Sequence, residues 1–219
     1  MMAHPDTHNS NCSIEIATAE NKNEVLEFLR KFFFKDEPVN NFLGLVSCEN
    51  PINEDVEAFS IEYLDNGLTL MAKYDENLVG VCMSVVIEKE TKKTTVNCQD
   101  EKFAKLLKFF EYVGERADPF EQYPDCTRAV CIGIVSVDES YRGRGIAKNL
   151  LNTTSKLAKD RGCGFVTVTC TSHFTALGLK RLGFELFFSL DYADYKINNQ
   201  VVLRPKSPHK SVTVYTKKV

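Results

Sequence analysis

The chain has 219 residues, 43% of them hydrophobic, and a formal net charge of −3. This length supports one sizeable core, and the balanced charge does not favour nucleic acid or an anionic membrane as a partner. No apolar run approaches the ~18 residues that a membrane-spanning helix needs, so we expect no membrane segment.

The start of the chain is polar and lacks the apolar core of a secretory signal. We therefore predict a flexible segment over residues 1–12 and one domain over residues 13–219. Eight cysteines form no Cys-x-x-Cys pair, and the four histidines do not flank them at metal-binding spacing. Free thiols in a reducing cytoplasm, with no metal site, are the expected arrangement.

Hydrophobic periodicity in the first half of the chain predicts strands and amphipathic helices in turn. The turn Asp75-Glu76-Asn77 joins two of the strands as a hairpin. The predicted elements are a strand over 13–19, helices over 21–34 and 54–64, strands over 68–74 and 78–88, and a helix over 103–113.

The second half alternates apolar strands with helices, which indicates a mixed α/β fold. Residues 191–209 are rich in turn formers, with 201–203 extended. The predicted elements are strands over 129–137, 165–170, 184–190 and 211–216, with helices over 146–157 and 172–182.

A glycine-rich turn lies between the strand 129–137 and the helix that begins at Ile146. The first N–H groups of a helix lack intrahelical partners, and the helix dipole favours an anion beside them. Gly143 and Gly145 remove the side chains that would keep a ligand away, while Arg142 and Arg144 add positive charge. Phosphate binding is one interpretation; a tight connection with solvated arginines is the other.

The sequence Arg142-Gly143-Arg144-Gly145-Ile146-Ala147 resembles the Arg/Gln-x-x-Gly-x-Gly/Ala signature of the GCN5-related N-acetyltransferases, the GNAT superfamily. That resemblance implies a single-domain α/β fold whose mixed sheet splays between two neighbouring parallel strands, here 129–137 and 165–170, and is flanked by helices. It also implies acetyl-CoA as the co-substrate, lying along the first strand with its pyrophosphate on the turn. The implied cofactor-binding residues are Ile134, Val135, Ser136, Val137, Arg142, Gly143, Arg144, Gly145, Ile146, Ala147 and Lys148.

Asp36 and Glu37 precede Pro38 where the first helix ends, because a proline disfavours the helical conformation of the residue before it. A solvated acidic turn is one interpretation. Neighbouring aromatic residues, including Phe32 and Phe42, favour another, in which burial raises the pKa of a carboxyl until it exchanges protons near neutrality.

The block Phe34 to Asn40 closely resembles the Phe-x-x-Asp-Glu-Pro-Leu-Asn block of insect arylalkylamine N-acetyltransferases, with Val39 in place of leucine. In that family the glutamate is the catalytic base, which implies this role for Glu37. The residues predicted to bind the amine are Phe33, Phe34, Asp36 and Glu37.

We expect the general acid that protonates the departing CoA thiolate in the segment that follows the strand ending at Cys170. Anchored on Gly183-Phe184, the chain has Leu179 where many acetyltransferases place a tyrosine acid. Insect arylalkylamine enzymes instead place catalytic serines at the positions that are threonines in this chain. The candidates are therefore Thr171 and Thr175, with Ser172 and His173 as alternatives, and Cys170 as a less favoured acyl carrier.

We therefore expect an enzyme that moves an acetyl group from acetyl-CoA to the primary amine of a small arylalkylamine, such as dopamine, tyramine, octopamine or serotonin. The amine attacks the thioester directly, and the protein is expected to act as a monomer. One alternative keeps the chemistry but changes the substrate to a polyamine or a longer acyl-CoA. Another is a CoA-binding protein that has lost catalysis, since the usual tyrosine acid is missing.

Overall fold

A computed structural model describes residues 12–90 and 98–219. Seven strands form one mixed sheet in the order β1-β2-β3-β4-β5-β9-β6, and β7 and β8 form a separate small hairpin. The strands are β1 (Cys12–Ile16), β2 (Leu70–Tyr74), β3 (Asn77–Glu88), β4 (Arg128–Val137), β5 (Phe165–Cys170), β6 (Glu185–Asp191), β7 (Lys196–Ile197), β8 (Gln200–Val201) and β9 (Ser211–Lys218).

Six α-helices cover the two faces of the sheet, and short 3₁₀ turns connect several elements within the described ranges. The helices are α1 (Lys22–Phe32), α2 (Pro38–Leu43), α3 (Glu54–Ile61), α4 (Glu101–Arg116), α5 (Ile146–Asp160) and α6 (His173–Arg181). Helices α1 to α4 pack on one face together with the segment 192–203, whereas α5 and α6 pack on the other.

The sheet is splayed at its centre, as expected. Strands β4 and β5 run parallel and pair from Ala129 with Phe165 to Ile132 with Val168. Beyond these four pairs the two strands separate, although β4 continues to Val137 and β5 to Cys170. The opening between their carboxyl ends is where the cavity described below lies.

A bulge lies in β4 at the start of this opening. Met83 pairs with Ile134 and Ser84 pairs with Ile132, so Gly133 has no opposite residue in β3. The ring of Tyr63 lies 3.3 Å from the position that a β-carbon on Gly133 would occupy. A bulge leaves the extra residue unpaired, and here it directs Gly133 into the cavity wall.

Helix α2 is the main element that the sequence did not predict. Pro38 ends the preceding segment, as expected, but it also occupies the first turn of α2, where its missing N–H costs nothing. Glu37 caps this helix, and Gly44 closes it in the left-handed conformation with φ of 62°. The acidic pair therefore lies at a helix start and not in a simple turn.

Several predicted boundaries are corrected by the structure. The first strand ends at Ile16 instead of residue 19, and α1 ends at Phe32 instead of residue 34. Cys12 begins β1, so it does not belong to the predicted flexible segment; the rest of that segment lies outside the described residues. Among the described residues, no helix combines the length and apolar character needed to span a membrane.

Candidate active site

The carboxylate of Glu37 is held at the N-terminus of α2. Its Oε2 accepts a hydrogen bond of 2.5 Å from the backbone N–H of Asn40, which satisfies one free donor of the first helical turn. Its Oε1 is shielded from solvent and has no hydrogen-bond partner among the described residues. One oxygen therefore fixes the side chain, and the other is free to meet a ligand.

Burial raises the pKa of Glu37 above the ordinary glutamate value, because removal from water disfavours the charged form. The Thr171 hydroxyl and the backbone N–H groups of Asn40 and Val39 act in the opposite direction, since they favour the carboxylate. Desolvation is the largest of these effects. The result is a carboxyl group that exchanges its proton closer to neutrality than an exposed glutamate does.

Glu37 lines a cavity of about 530 Å³ that fills the opening between β4 and β5. The same cavity reaches Arg142 and Ala147 of the glycine-rich turn, so the acidic corner and the turn share one space. Its walls come from the end of α1, the splayed strands and one side of α6. Besides those three residues the lining includes Phe32, Phe33, Asp36, Gly133, Val135, Ser136, Val137, Leu151, Cys170, Thr171, Ser172, Phe174, Thr175, Gly178 and His209.

The glycine-rich turn has the geometry of an anion site. Gly143 and Gly145 adopt φ of 80° and 78°, and no atom lies within 4 Å of where their β-carbons would be. Gly145 is the N-cap of α5, a 15-residue helix, and no side chain caps the first amides of this helix. A helix N-terminus of this kind can bind an anion such as a phosphate group.

The two arginines of the turn are held differently. The Arg142 side chain lines the cavity, and its Nε donates a hydrogen bond of 3.3 Å to the Val137 carbonyl. The Arg144 guanidinium lies over the Tyr141 ring at 4.9 Å and the Tyr74 ring at 5.8 Å. Arg142 is therefore directed toward the cavity, whereas Arg144 is directed toward the hairpin at the end of β2.

The start of α6 brings hydroxyl groups to the cavity. Thr171, Ser172 and Thr175 all line it, whereas His173 does not. The backbone N–H of His173 instead donates a hydrogen bond of 3.1 Å to Nδ1 of His209, which does line the cavity.

Two further groups adjoin the Thr171 end of this wall. Burial raises the pKa of Cys170 to about 12, so its thiol stays protonated near neutrality and is a poor nucleophile. The hydroxyl of Tyr192 donates a hydrogen bond of 3.1 Å to the Thr171 carbonyl.

The sequence-predicted residues of the site occupy three kinds of position. Most line the shared cavity with a side chain or backbone atoms. Ile134 and Ile146 are packed into the two cores, consistent with a predicted role that uses only backbone groups. Gly143, Arg144, Gly145 and Lys148 are exposed on the turn outside the lining.

Phe34 does not lie with the other predicted amine-binding residues. Its side chain is 1% exposed and packs in the core below α1, so we do not retain it as an amine contact. Phe42 is 41% exposed and also lies away from the cavity lining. Because α1 ends at Phe32, the following residues turn and direct Phe33 and Phe34 to different sides.

Residues near the site that sequence reasoning missed include Phe174, Gly178, Tyr192 and His209. Phe174 directly precedes Thr175 on α6. Gly178 lies three residues after Thr175, on the same face of the helix, so helical spacing could have identified Gly178. Tyr192 and His209 come from the turn-rich segment 191–209, where no periodic pattern points to the cavity.

Within the described residues, no group of three or more His, Cys, Asp or Glu side chains is arranged to hold a metal ion. The arrangement combines a desolvated carboxyl group, a helix N-terminus without a side-chain cap and several hydroxyl-bearing residues in one cavity lining. These are the parts needed to deprotonate an amine beside a bound acyl carrier.

Comparison with known proteins agrees with this geometry. The sequence profile described as Acetyltransferase (GNAT) family matches residues 24–184. Arylalkylamine N-acetyltransferase 2 from Aedes aegypti superposes with a TM-score of 0.87 at 27% identity, covering 95% of this chain and 99% of that one.

Two other solved structures share the fold at lower identity. Drosophila melanogaster polyamine N-acetyltransferase, which forms N-acetylagmatine, has a TM-score of 0.81 at 19% identity, covering 95% of this chain and all of that one. The mosquito arylalkylamine N-acetyltransferase like 5b has a TM-score of 0.81 at 22% identity, also covering 95% of this chain and all of that one. With the profile match spanning most of its length, the chain belongs to the GNAT family of acetyltransferases.

Proposed function

We propose that the protein transfers the acetyl group of acetyl-CoA to the primary amine of a small arylalkylamine. The observation that carries this proposal is the free Oε1 of Glu37 in a cavity shared with the glycine-rich turn. The Aedes aegypti arylalkylamine enzyme, at 27% identity, supports the same substrate class.

Acetyl-CoA would be held by the turn amides of residues 143–148 and by Arg142, with its thioester arm along β4 from Ile134 to Val137. When bound, it supplies a thioester whose carbonyl carbon bonds to the amine nitrogen while the carbon–sulfur bond breaks. The nitrogen loses two protons in all, one before it attacks and one as the amide forms; one proton ends on the sulfur and the other passes to solvent. The chain's own residues therefore have two tasks, which are to accept protons from the nitrogen and to donate one to the sulfur.

Glu37 is assigned the first task. A primary ammonium with a pKa near 10, the value of lysine, must lose a proton before its nitrogen attacks. The buried carboxylate attracts the cation, and its raised pKa brings it closer to the pKa of a useful base near neutral pH.

The hydroxyl groups at the start of α6 are assigned the second task. Thr171 and Thr175 stand where the insect enzymes have serines, and both line the cavity, as does Ser172. His173 is a weaker candidate because its ring does not belong to the lining. Cys170 is not assigned an acyl-carrier role, because its raised pKa keeps it a thiol.

The amine side of the cavity favours one aromatic substituent over a second cationic group. Phe32 and Phe33 line it, and Phe174, which is 65% exposed, stands at its edge. The lining has two carboxylates, Asp36 and Glu37, and Asp36 is exposed to solvent. A single buried carboxylate suits a single ammonium, and aromatic side chains suit an aromatic ring.

We also propose that the protein works as a monomer in the cytoplasm. All eight cysteines lie in the described ranges and are free thiols, and free thiols persist in a reducing compartment. Size-exclusion chromatography with light scattering tests the first part, and imaging of a tagged full chain in cells tests the second.

The function is tested by thiol release from acetyl-CoA with the purified chain. The panel contains dopamine, tyramine, octopamine and serotonin, then agmatine, putrescine and spermidine, and a lysine peptide. We expect kcat/KM for the aromatic amines to exceed that for the polyamines by about tenfold or more, since 1.4 kcal/mol of differential binding produces that ratio.

Each alternative has its own signature in the same assay. Faster turnover of polyamines would replace the arylalkylamine proposal, and faster turnover of a longer acyl-CoA would change the donor. Acetyl-CoA binding by calorimetry without thiol release for any amine would indicate a protein that binds CoA without catalysis.

A further inference from the structure

Tyr192 is a buried tyrosine whose hydroxyl has a specific partner beside the proposed base. Its side chain is 3% exposed, and its ring packs on Phe109 with centroids 5.7 Å apart. The hydroxyl donates a hydrogen bond of 3.1 Å to the backbone carbonyl of Thr171.

Thr171 lies where β5 has ended and α6 has not yet begun. A residue between two elements has no ladder or helix to fix its carbonyl, so a side-chain donor decides its orientation. Thr171 and Glu37 line the same cavity, and the Thr171 hydroxyl favours the ionised form of the Glu37 carboxyl. A backbone rotation at Thr171 would carry that hydroxyl away from the carboxylate.

We propose that Tyr192 is a positioning residue, which fixes the Thr171 carbonyl so that the Thr171 hydroxyl faces Glu37. Tyr192 does not line the cavity and is not assigned a contact with either substrate. It acts through Thr171 alone. This inference rests on the proposed role of Glu37 as the base.

Other titratable groups surround Glu37 and must be kept constant in the test. Tyr192 itself is one of them, and burial together with the nearby Glu37 raises its pKa, so it remains a neutral donor. The remaining groups lining the same cavity are Asp36, Arg142, Cys170 and His209.

The test uses Tyr192→Phe, which removes only the hydroxyl. Without its anchor, Thr171 stabilises the carboxylate less, so the pKa of Glu37 rises further. The acidic limb of the pH profile of kcat/KM should therefore move upward by less than about 1 pH unit, because complete loss of a hydrogen bond to a charged group is worth roughly 1–2 units and Oε1 of Glu37 has no such bond in the structure. Activity should fall several-fold near pH 6 and less at pH 8, while KM for acetyl-CoA stays within about twofold.

Tyr195→Phe is the matched control. Tyr195 is 4% exposed, packs on the same Phe109 at 5.0 Å, and is not bonded to Thr171. It should lose a similar amount of packing or stability without moving the acidic limb.

A direct readout avoids dependence on turnover. The Glu37 carboxyl is titrated by ¹³C NMR in the ligand-free protein, with its signal identified by Glu37→Gln. Tyr192→Phe should raise this pKa and Tyr195→Phe should not. In a Thr171→Val background, which itself raises the pKa of Glu37, Tyr192→Phe should add no further shift.

Three results would overturn the inference. They are an unmoved Glu37 titration in Tyr192→Phe, an equal shift in Tyr195→Phe, or an undiminished shift in the Thr171→Val background. If Tyr192→Phe does not fold, Thr171→Val alone decides, because an unchanged Glu37 pKa there removes the link. Failure of the proposed function looks different, since Glu37→Gln would then retain activity and its acidic limb.

Discussion

The acidic corner at residues 36–40 and the glycine-rich turn at residues 142–148 meet the same cavity by opposite means. In the corner the Glu37 carboxyl is shielded from solvent, with one oxygen held by the helix cap and the other, Oε1, as the functional atom. The turn is open, and its functional atoms are backbone donors at the start of α5. One site depends on a residue's chemistry, the other on the absence of side chains.

This difference predicts how each region responds to substitution. Substitution of a buried side chain that acts in the reaction should lower kcat strongly, even when the replacement has nearly the same shape. Substitutions near backbone donors that bind phosphate should lower the affinity for acetyl-CoA. They should do so only where they fill the space of the ligand or change the backbone conformation.

The largest effect is expected for Glu37→Gln. The amide oxygen can still accept the Asn40 N–H, so the helix cap is retained while the base is lost. We expect kcat/KM for the amine to fall by about 10²–10⁴-fold, with the acidic limb of its pH profile abolished and acetyl-CoA affinity unchanged. Steady-state kinetics from pH 5 to 9 and calorimetry measure these quantities.

Asp36→Asn supplies the control for charge at the same corner. Asp36 is exposed, so its removal should cost no more than about threefold. Equal losses in the two variants would mean that negative charge near the mouth, and not a base, explains the activity. The enclosed corner would then differ little from the open turn.

A smaller effect, on affinity alone, is expected for Gly145→Ala. The added β-carbon strains a residue at φ of 78° and lies where the phosphate approaches. Acetyl-CoA should bind about tenfold more weakly, with kcat at saturation little changed.

Gly162→Ala separates strain from ligand contact. Gly162 has φ of 70° and open space around its β-carbon position, but it follows the other end of α5. Both variants should lose similar thermal stability, and only Gly145→Ala should weaken acetyl-CoA binding. Equal affinities of the Gly145→Ala and Gly162→Ala variants for acetyl-CoA would mean that the diphosphate does not bind at this turn.

The smallest effect is expected from a comparison of the two arginines of the turn. Arg142→Ala should weaken acetyl-CoA binding by about fivefold at low salt, and the loss should shrink as salt rises. Arg144→Ala removes the same charge from a guanidinium held over Tyr141 and should change binding by less than about twofold. Equal losses would show that both arginines act as general positive charge.

Local patterns predicted most of the fold. Strand β5 was predicted with its observed bounds, and β4 and α5 were predicted almost entirely, because each is a long apolar or amphipathic run. Helix α2 was missed because a six-residue helix has too little periodicity to detect. A proline at its first position was available as a signal, but it was read only as the end of α1.

The site was harder to predict because it combines distant segments. The resemblance of short blocks identified Glu37 and the turn, and the structure brings them to one cavity. Phe34 was grouped with Phe33 by adjacency, yet the chain turns between them. Tyr192 reaches Thr171 only through the tertiary packing of a turn-rich segment, which no local pattern describes.

The lone Oε1 of Glu37 has a consequence for the stability of the whole protein. Its raised pKa means that folding binds an extra proton between the unfolded and folded values, so stability falls as pH rises through that window and stays lower above it. Above that window Glu37→Gln should therefore have a higher melting temperature than the parent, with the gain vanishing in acid, as scanning calorimetry would record. A bound ammonium would supply the missing partner, and the catalytic corner would then be a place where substrate completes the fold.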